Sequence, residues 1–520
     1  MVHGQAKVVI YLINKSLYGM VIMQNEKLNS FKLYMKDIEY LNSAVSTLYW
    51  DSRVSMPKKG APYRGEILGF LSTEMFKRQT SQTIKDYIDY FIDFKDADDT
   101  VKAMADRAKR EYDRSTLIPE DRYREYVIAC SDSESAWETA KDKSDYSIFK
   151  PHLEKLIAFN REFIGYWGFQ NSRYDKLLDI YEPGITVKKL DVTFAELRDA
   201  IIDLLDRIKS RGRKTDNQFL HSDYPLDAQQ KLCRSVLEKM GYDFNAGRLD
   251  VSVHPFTDTL GAQDVRITTH YYEKEFQSAL FSCIHEGGHA IYEQNISEDL
   301  LGTMLKTGTS MGIHESQSRL YENIIGRSRA FWTYFYSETQ ACFPQFNDIA
   351  LDTFYKAINQ VRPSLIRIES DELTYSLHII IRYELEKAIF DGDAGLNELP
   401  VLWNKKYREY LGVEPKNDAD GILQDMHWSS GNFGYFPSYA LGNLYGAQFI
   451  HKLKEDMPDC ERRIEGGDLM SLNGWLKEHI HQYGSVYMPN ELLQRVTGED
   501  LTAKYYIDYL NQKYGDIYGL

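Results

Sequence analysis

The sequence predicts a mainly α-helical fold with minor short β-strands, and three observations carry this. Apolar residues recur at spacings of three and four along most of the chain, as one helix face requires. A single stretch, DVRITT at 264–269, alternates with the strand period. No repeat of fixed period, low-complexity tract or glycine-rich linker divides the chain.

In chain order, the apolar segment VVIYLINKSLYGMVIM (8–23) is split by Asn14 and Lys15. Neither piece approaches the ~20 apolar residues that span a bilayer. One lysine precedes a short apolar core and no small-x-small cleavage site follows, so the segment does not read as a secretion signal. Its alternation fits an edge strand. A further expectation is a natural start at Met20 or Met23. Separately, residues 1–28 read as an N-terminal extension of unknown role and 29–520 as one helical domain. From Asn29, Leu33, Met35, Ile38, Leu41, Ala44 and Leu48 form a helix face that Pro57 ends. Amphipathic runs follow over about 62–94, 98–115, 119–143 and 148–168. Glu182-Pro183-Gly184 is a turn, a helix covers Val187–Ile208, and RGRKTDNQ (211–218) is a loop. After the 264–269 strand, helices resume near Glu273.

The balance of 62 Lys+Arg against 77 Asp+Glu gives a formal charge of −15 over 520 residues. Nucleic acids and anionic membranes both reward a basic excess, so neither is an expected partner. Aromatic residues make up 13%, with 38 Tyr, which excludes a disordered chain. The five cysteines, Cys130, Cys233, Cys283, Cys342 and Cys460, are widely spaced and form no CxxC. They fit reduced thiols in a cytosolic protein rather than disulfides or a thiolate zinc site. Cys283 reads as a small buried apolar residue.

His285-Glu286-Gly287-Gly288-His289 is an HExxH. Phe276, Ala279, Leu280, Cys283, Ile284 and Ile291 place it on an amphipathic helix. Histidines four apart leave one helix face a turn from each other, close enough to share one Zn²⁺ at about 2.0–2.1 Å each. Glu286 then lies beside the metal, able to take a proton from an attacking water and pass it to a leaving amine. Gly287 and Gly288 each cost about 1 kcal/mol in a helix interior. Their missing side chains predict an approach for substrate backbone. A catalytic site needs a third protein ligand. The metzincin positions hold Tyr292 and Asn295. Glu293 shares the helix face, but eight residues span about 12 Å, so it and His285 cannot reach one ion. Glu298, Glu315, Glu322, Glu369 and Glu372 remain, and spacing does not choose among them.

HEGGH (285–289), with Glu315 in HESQS 26 residues after its second histidine, resembles the M32 metallocarboxypeptidases, the thermostable carboxypeptidase Taq family. Further signatures stand in order: HPF at 254–256, DxRxT at 264–268, GxxQDxHW at 421–428 and GYFPSYALGN at 434–443. The IRxxAD motif appears as Ile366–Asp371 with Ser370 in place of Ala, which keeps Arg367 and Asp371. The resemblance runs from about residue 29 to nearly the end.

It implies two helical halves walling a long deep groove, in a homodimeric cytoplasmic enzyme that releases single residues from peptide C-termini. It implies His285, His289 and Glu315 as ligands of Zn²⁺, with Co²⁺ as a substitute, and Glu286 as general base. His427 and Tyr435, in the 421–443 signature segment, are candidate donors to the oxyanion. Arg367 is the first choice for the substrate's terminal carboxylate and Arg266 the reserve, because a guanidinium binds a carboxylate bidentately. His254 and His314 are candidates for support or substrate contact. The competing functions are an endo-oligopeptidase of the same type and a non-catalytic peptide-binding protein.

Overall fold

The computed structural model describes residues 2–94, 97–213, 215–392 and 394–520, with side chains from residue 24 onward. Helices dominate, and the strands among the described residues form one three-stranded sheet. The fold is the mainly helical one with minor strands that the periodicity predicts.

The first helix runs unbroken from Val2 to Val54. Residues 8–23 are therefore helical and not an edge strand: alternation is a weak signal where the same residues also satisfy a helix. Among the described residues, no helix is long and apolar enough to cross a membrane. The run expected over 62–94 is two helices, Ala61–Gln79 and Gln82–Phe91. Ser81 parts them by adopting extended backbone and accepting the Ile84 N–H, the behaviour of an N-cap.

The chain divides into two compact units. One comprises Met1–Ser115, Leu260–Ala262 and Ser297–Thr307. Its core includes Phe31, stacked on Tyr87 and Phe91 at 5.0 and 5.5 Å, and the buried Met35, Ile38 and Trp50. Within it, Glu39 accepts the Gly302 and Met304 N–H groups at 2.8 and 2.9 Å. The other unit comprises Thr116–Thr259, Gln263–Ile296 and Gly308–Leu520 and carries every residue of the site described below.

The sheet has the order β1 (Leu249–Val251), β3 (Asp264–Thr269), β2 (Thr257–Gly261). β1 and β3 are parallel, with Leu249 opposite Ile267 and Val251 opposite Thr269. The HPF segment joins this sheet through the Thr268 hydroxyl, which accepts the Phe256 N–H at 3.0 Å. β3 packs against the helix Phe276–Asn295, whose inward face of Phe276, Ala279, Leu280, Cys283, Ile284 and Ile291 is fully buried. That helix carries HEGGH. All five cysteines are free thiols, and Cys283 has no exposed surface.

Gly287 and Gly288 serve packing rather than substrate access. A Cβ on Gly287 would meet Leu237 Cδ2 at 2.5 Å, and one on Gly288 would meet the Gln317 carbonyl oxygen at 2.7 Å. The two glycines let the helices Leu226–Met240 and Met311–Arg319 close on the HEGGH helix from two sides. A sequence shows that side chains are missing, not which neighbour fills the space.

Candidate metal centre

The HESQS segment forms the helix Met311–Arg319, capped by Ser310, whose hydroxyl accepts the Ile313 N–H. Two contacts fix how deeply it sits. Glu182, from the YEPG turn, is buried and accepts the Gly312 N–H at 2.9 Å and the Tyr445 hydroxyl at 3.0 Å. Burial raises its pKa to about 7, against the three hydrogen bonds that lower it. On the opposite side, a Cβ on Gly442 would meet Glu315 Cβ at 2.7 Å, so the helix Pro437–Asp456 approaches Glu315 through a glycine.

This seating brings Glu315 to the two histidines. Glu315 Oε2 lies 3.7 Å from His285 Nε2 and 3.5 Å from His289 Nε2. One ligand atom from each of the three residues falls within 4.8 Å of the others. Three donors around a small divalent ion at about 2.0–2.1 Å in tetrahedral geometry stand about 3.4 Å apart. The cluster therefore fits a divalent metal with little adjustment.

The outer atoms of the ligands are held as well. Glu315 Oε1 accepts from Arg319 Nε at 2.7 Å, which leaves Oε2 for the ion. Burial raises the Glu315 pKa, but Arg319, His285 and His289 overcome it and hold the carboxyl far below its usual range. His285 Nδ1 pairs with Glu322 Oε2 at 2.9 Å, which turns Nε2 inward. Glu322 meets Arg319 at 3.3 Å and Arg327 at 3.5 Å, and its pKa falls to about 2 because these cations and His285 outweigh burial. Glu322 reaches His285 because residues Leu320–Ile325 form a π-helical turn, closed by the Gly326 N–H on the Tyr321 carbonyl at 2.7 Å. His289 Nδ1 lies 2.6 Å from His314 Nδ1, and His314 Nε2 lies 3.0 Å from Glu293 Oε1.

Glu286 is 7% exposed and accepts from the Thr257 hydroxyl of β2 at 2.5 Å. Burial raises its pKa, with His285 and Thr257 opposing. A carboxylate made more basic beside a metal position is suited to proton transfer.

The chain compares closely with known proteins. Residues 30–514 match the family model for Carboxypeptidase Taq (M32) metallopeptidase. The chain is similar to Carboxypeptidase 1 of Bacillus subtilis (strain 168), with 51% identity over 93% of this chain and 97% of the relative. It is 39% identical to Thermostable carboxypeptidase 1 of Thermus thermophilus, over 94% of this chain and 98% of that one. This chain belongs to the M32 metallocarboxypeptidases. The M32 carboxypeptidase of Deinococcus radiodurans R1 superposes with a TM-score of 0.92 at 34% identity, covering 95% of this chain and all of that one.

In this M32 chain the remaining expected residues fall in two places. Arg367, His427 and Tyr435 come together. Arg367 is 8% exposed and forked onto Asp425, Nη2–Oδ1 2.9 Å and Nε–Oδ2 3.1 Å, with Nη1 donating to the Tyr375 hydroxyl at 3.2 Å. Its guanidinium lies 4.9 Å from the Tyr439 ring centre. His427 Nε2 is 3.3 Å from the Tyr439 hydroxyl, and its ring lies 5.5 Å from that of Tyr435. Burial lowers the His427 pKa to about 3 and raises that of Tyr435 to about 12, so His427 is neutral and Tyr435 protonated at neutral pH. Tyr375 links this cluster to the metal position, because Arg319 lies 4.1 Å over its ring. Arg266 stands apart on β3, forked onto Asp264 at 2.7 and 2.6 Å. Of the other candidate ligands, Glu372 is paired with Lys513 at 2.6 Å and Glu369 is exposed. His254 is exposed at the start of HPF.

The sequence reading did not assign Arg319, Tyr375, Thr257 or Asp425. Arg319 had a signal: it stands four residues after Glu315, the spacing of a helical ion pair. Thr257 and Tyr375 are far from HEGGH in sequence and carry no local mark.

Proposed function

We propose that this metallocarboxypeptidase uses Zn²⁺ to remove single amino acids from the free C-terminus of peptides. The observation that carries the reading is the convergence of His285 Nε2, His289 Nε2 and Glu315 Oε2 beside the buried Glu286. His285, His289 and Glu315 hold the metal. When bound, it supplies Lewis-acid chemistry to the scissile carbonyl and the attacking water. Glu286, made basic by burial, takes the proton of that water and delivers it to the leaving amine.

Tyr435, which keeps its proton, and the neutral His427 donate hydrogen bonds to the developing oxyanion. Arg367 receives the substrate's terminal carboxylate. Asp425 offsets its charge while fixing its plane, and Tyr375 and Tyr439 frame the approach. Its place among the tyrosines that reach toward Arg319 favours it over Arg266. Residues 29–520 act as one peptidase domain in a cytoplasmic homodimer, and Co²⁺ substitutes for Zn²⁺.

The test joins metal analysis of the purified chain to a mass-resolved time course on a free-ended peptide and its C-terminal amide. One equivalent of zinc with stepwise shortening of the free acid only is expected. Equal cleavage of the amide would refute C-terminal recognition.

A further inference from the structure

We propose that His314 and Glu293 form a two-link relay that orients His289, making both of them positioning residues of the metal centre. The inference rests on the proposed role of His289 as a ligand and extends it to two residues that touch neither metal nor substrate.

The links are short and consecutive. His289 Nδ1 is 2.6 Å from His314 Nδ1, and His314 Nε2 is 3.0 Å from Glu293 Oε1. They admit one arrangement of protons. A His289 that binds through Nε2 carries its proton on Nδ1, so His314 Nδ1 must accept. The His314 proton then sits on Nε2 and is donated to Glu293.

The far end is anchored. Glu293 is 4% exposed and also accepts the Gly308 N–H at 2.9 Å and the Thr259 hydroxyl at 3.2 Å. His314 is fixed between these partners. The Tyr292 ring packs 5.1 Å from it, and a Cβ on Gly308 would meet its Cδ2 at 2.5 Å, so only glycine lets that loop close on the imidazole. Helix geometry kept Glu293 from being a ligand. The structure instead puts it one imidazole away from one. The two ligating histidines are thus supported differently: His285 leans directly on the carboxylate of Glu322, whereas His289 reaches Glu293 only through a second imidazole.

The test uses the full chain with E293Q, H314F and H314Q, each loaded with Co²⁺. The readouts are the rate of Co²⁺ release to a colorimetric chelator, the Co²⁺ absorption spectrum, and KM and kcat on a free-ended peptide. Removing a group that orients a ligand typically costs 10–100-fold in metal affinity or activity. We expect release to quicken by roughly that range in H314F and by about 10-fold in E293Q, with an altered spectrum and KM little changed. H314Q keeps an acceptor oxygen toward His289 and should recover part of the loss. Wild-type release rates and spectra in variants with a lowered unfolding midpoint would overturn the relay and leave a packing role. If H314F does not fold, the isosteric E293Q decides alone. A wild-type chain that takes up no metal would instead refute the proposed function itself, so the two failures are distinguishable.

Discussion

Arg319 Nε donates to Glu315 Oε1 at 2.7 Å, and this bond keeps that oxygen turned away from the histidines and Oε2 toward them. The same guanidinium reaches Glu322, which holds His285. Arg319 is therefore a cation shared by two buried carboxylates, and taking it away leaves Glu315 without it and Glu322 with only Arg327 and His285. In the metal-free protein, R319M is expected to lose about 3–5 kcal/mol, read as a drop in the urea midpoint. A midpoint equal to wild type would show that the two carboxylates find other partners.

Glu286 lies outside the cluster of His285, His289 and Glu315. E286Q should keep one equivalent of metal by elemental analysis and lose at least roughly 100-fold in kcat. Full turnover in that variant would exclude Glu286 as the base.

Arg367 and Arg266 are both forked onto aspartates, so charge alone does not separate them. Position does. R367K keeps the charge but not the planar fork, and KM for a free-ended peptide should rise about 10-fold or more with a smaller change in kcat. R266K should leave KM within about two-fold, because Arg266 serves Asp264 beside the sheet. The reverse ranking, measured by initial rates, would move the carboxylate site to β3.

Glu182 predicts a pH dependence of stability. Burial raises its folded pKa from 4.5 to about 7, so the folded state holds a proton there that the unfolded chain has released. The contribution is complete below pH 4.5 and is lost as pH rises through about 7. That interval is worth about 3 kcal/mol. E182Q should flatten the fall in stability between those limits, followed by denaturant unfolding at several pH values. An unchanged slope would assign the fall to other groups.

The glycines offer a matched pair. G288A drives a Cβ into the backbone of Gln317 and should cost about 1–3 kcal/mol. G69A, on an exposed helical face with nothing within 4 Å, should stabilise by about 0.4–1 kcal/mol. Thermal or urea unfolding of the two variants would compare them directly.

Periodicity was enough to find the HEGGH helix and the 264–269 strand, because both are local patterns. Glu315 could only be narrowed to one of five glutamates from spacing, and the family resemblance was needed to choose it. Glu322, another of the five, proves to hold the outer nitrogen of His285, a role that depends on a π-helical turn with no clear sequence mark. The edge-strand reading of 8–23 failed because the same apolar residues satisfy a helical period as well as an alternating one. The glycines of HEGGH misled for a related reason: close approach was legible, but its beneficiary was a neighbouring helix.

The wide turn at Leu320–Ile325 makes the site a matter of counting. Each helical residue advances the chain by about 100°. Deleting Leu320 or Tyr321 would turn Glu322 by about 100° away from His285, although every charged group would still be present. Insertions and deletions in this segment are thus predicted to harm the centre more than substitutions of Leu320 or Ile324 do. Six residues act as a spacer that tolerates no change of length.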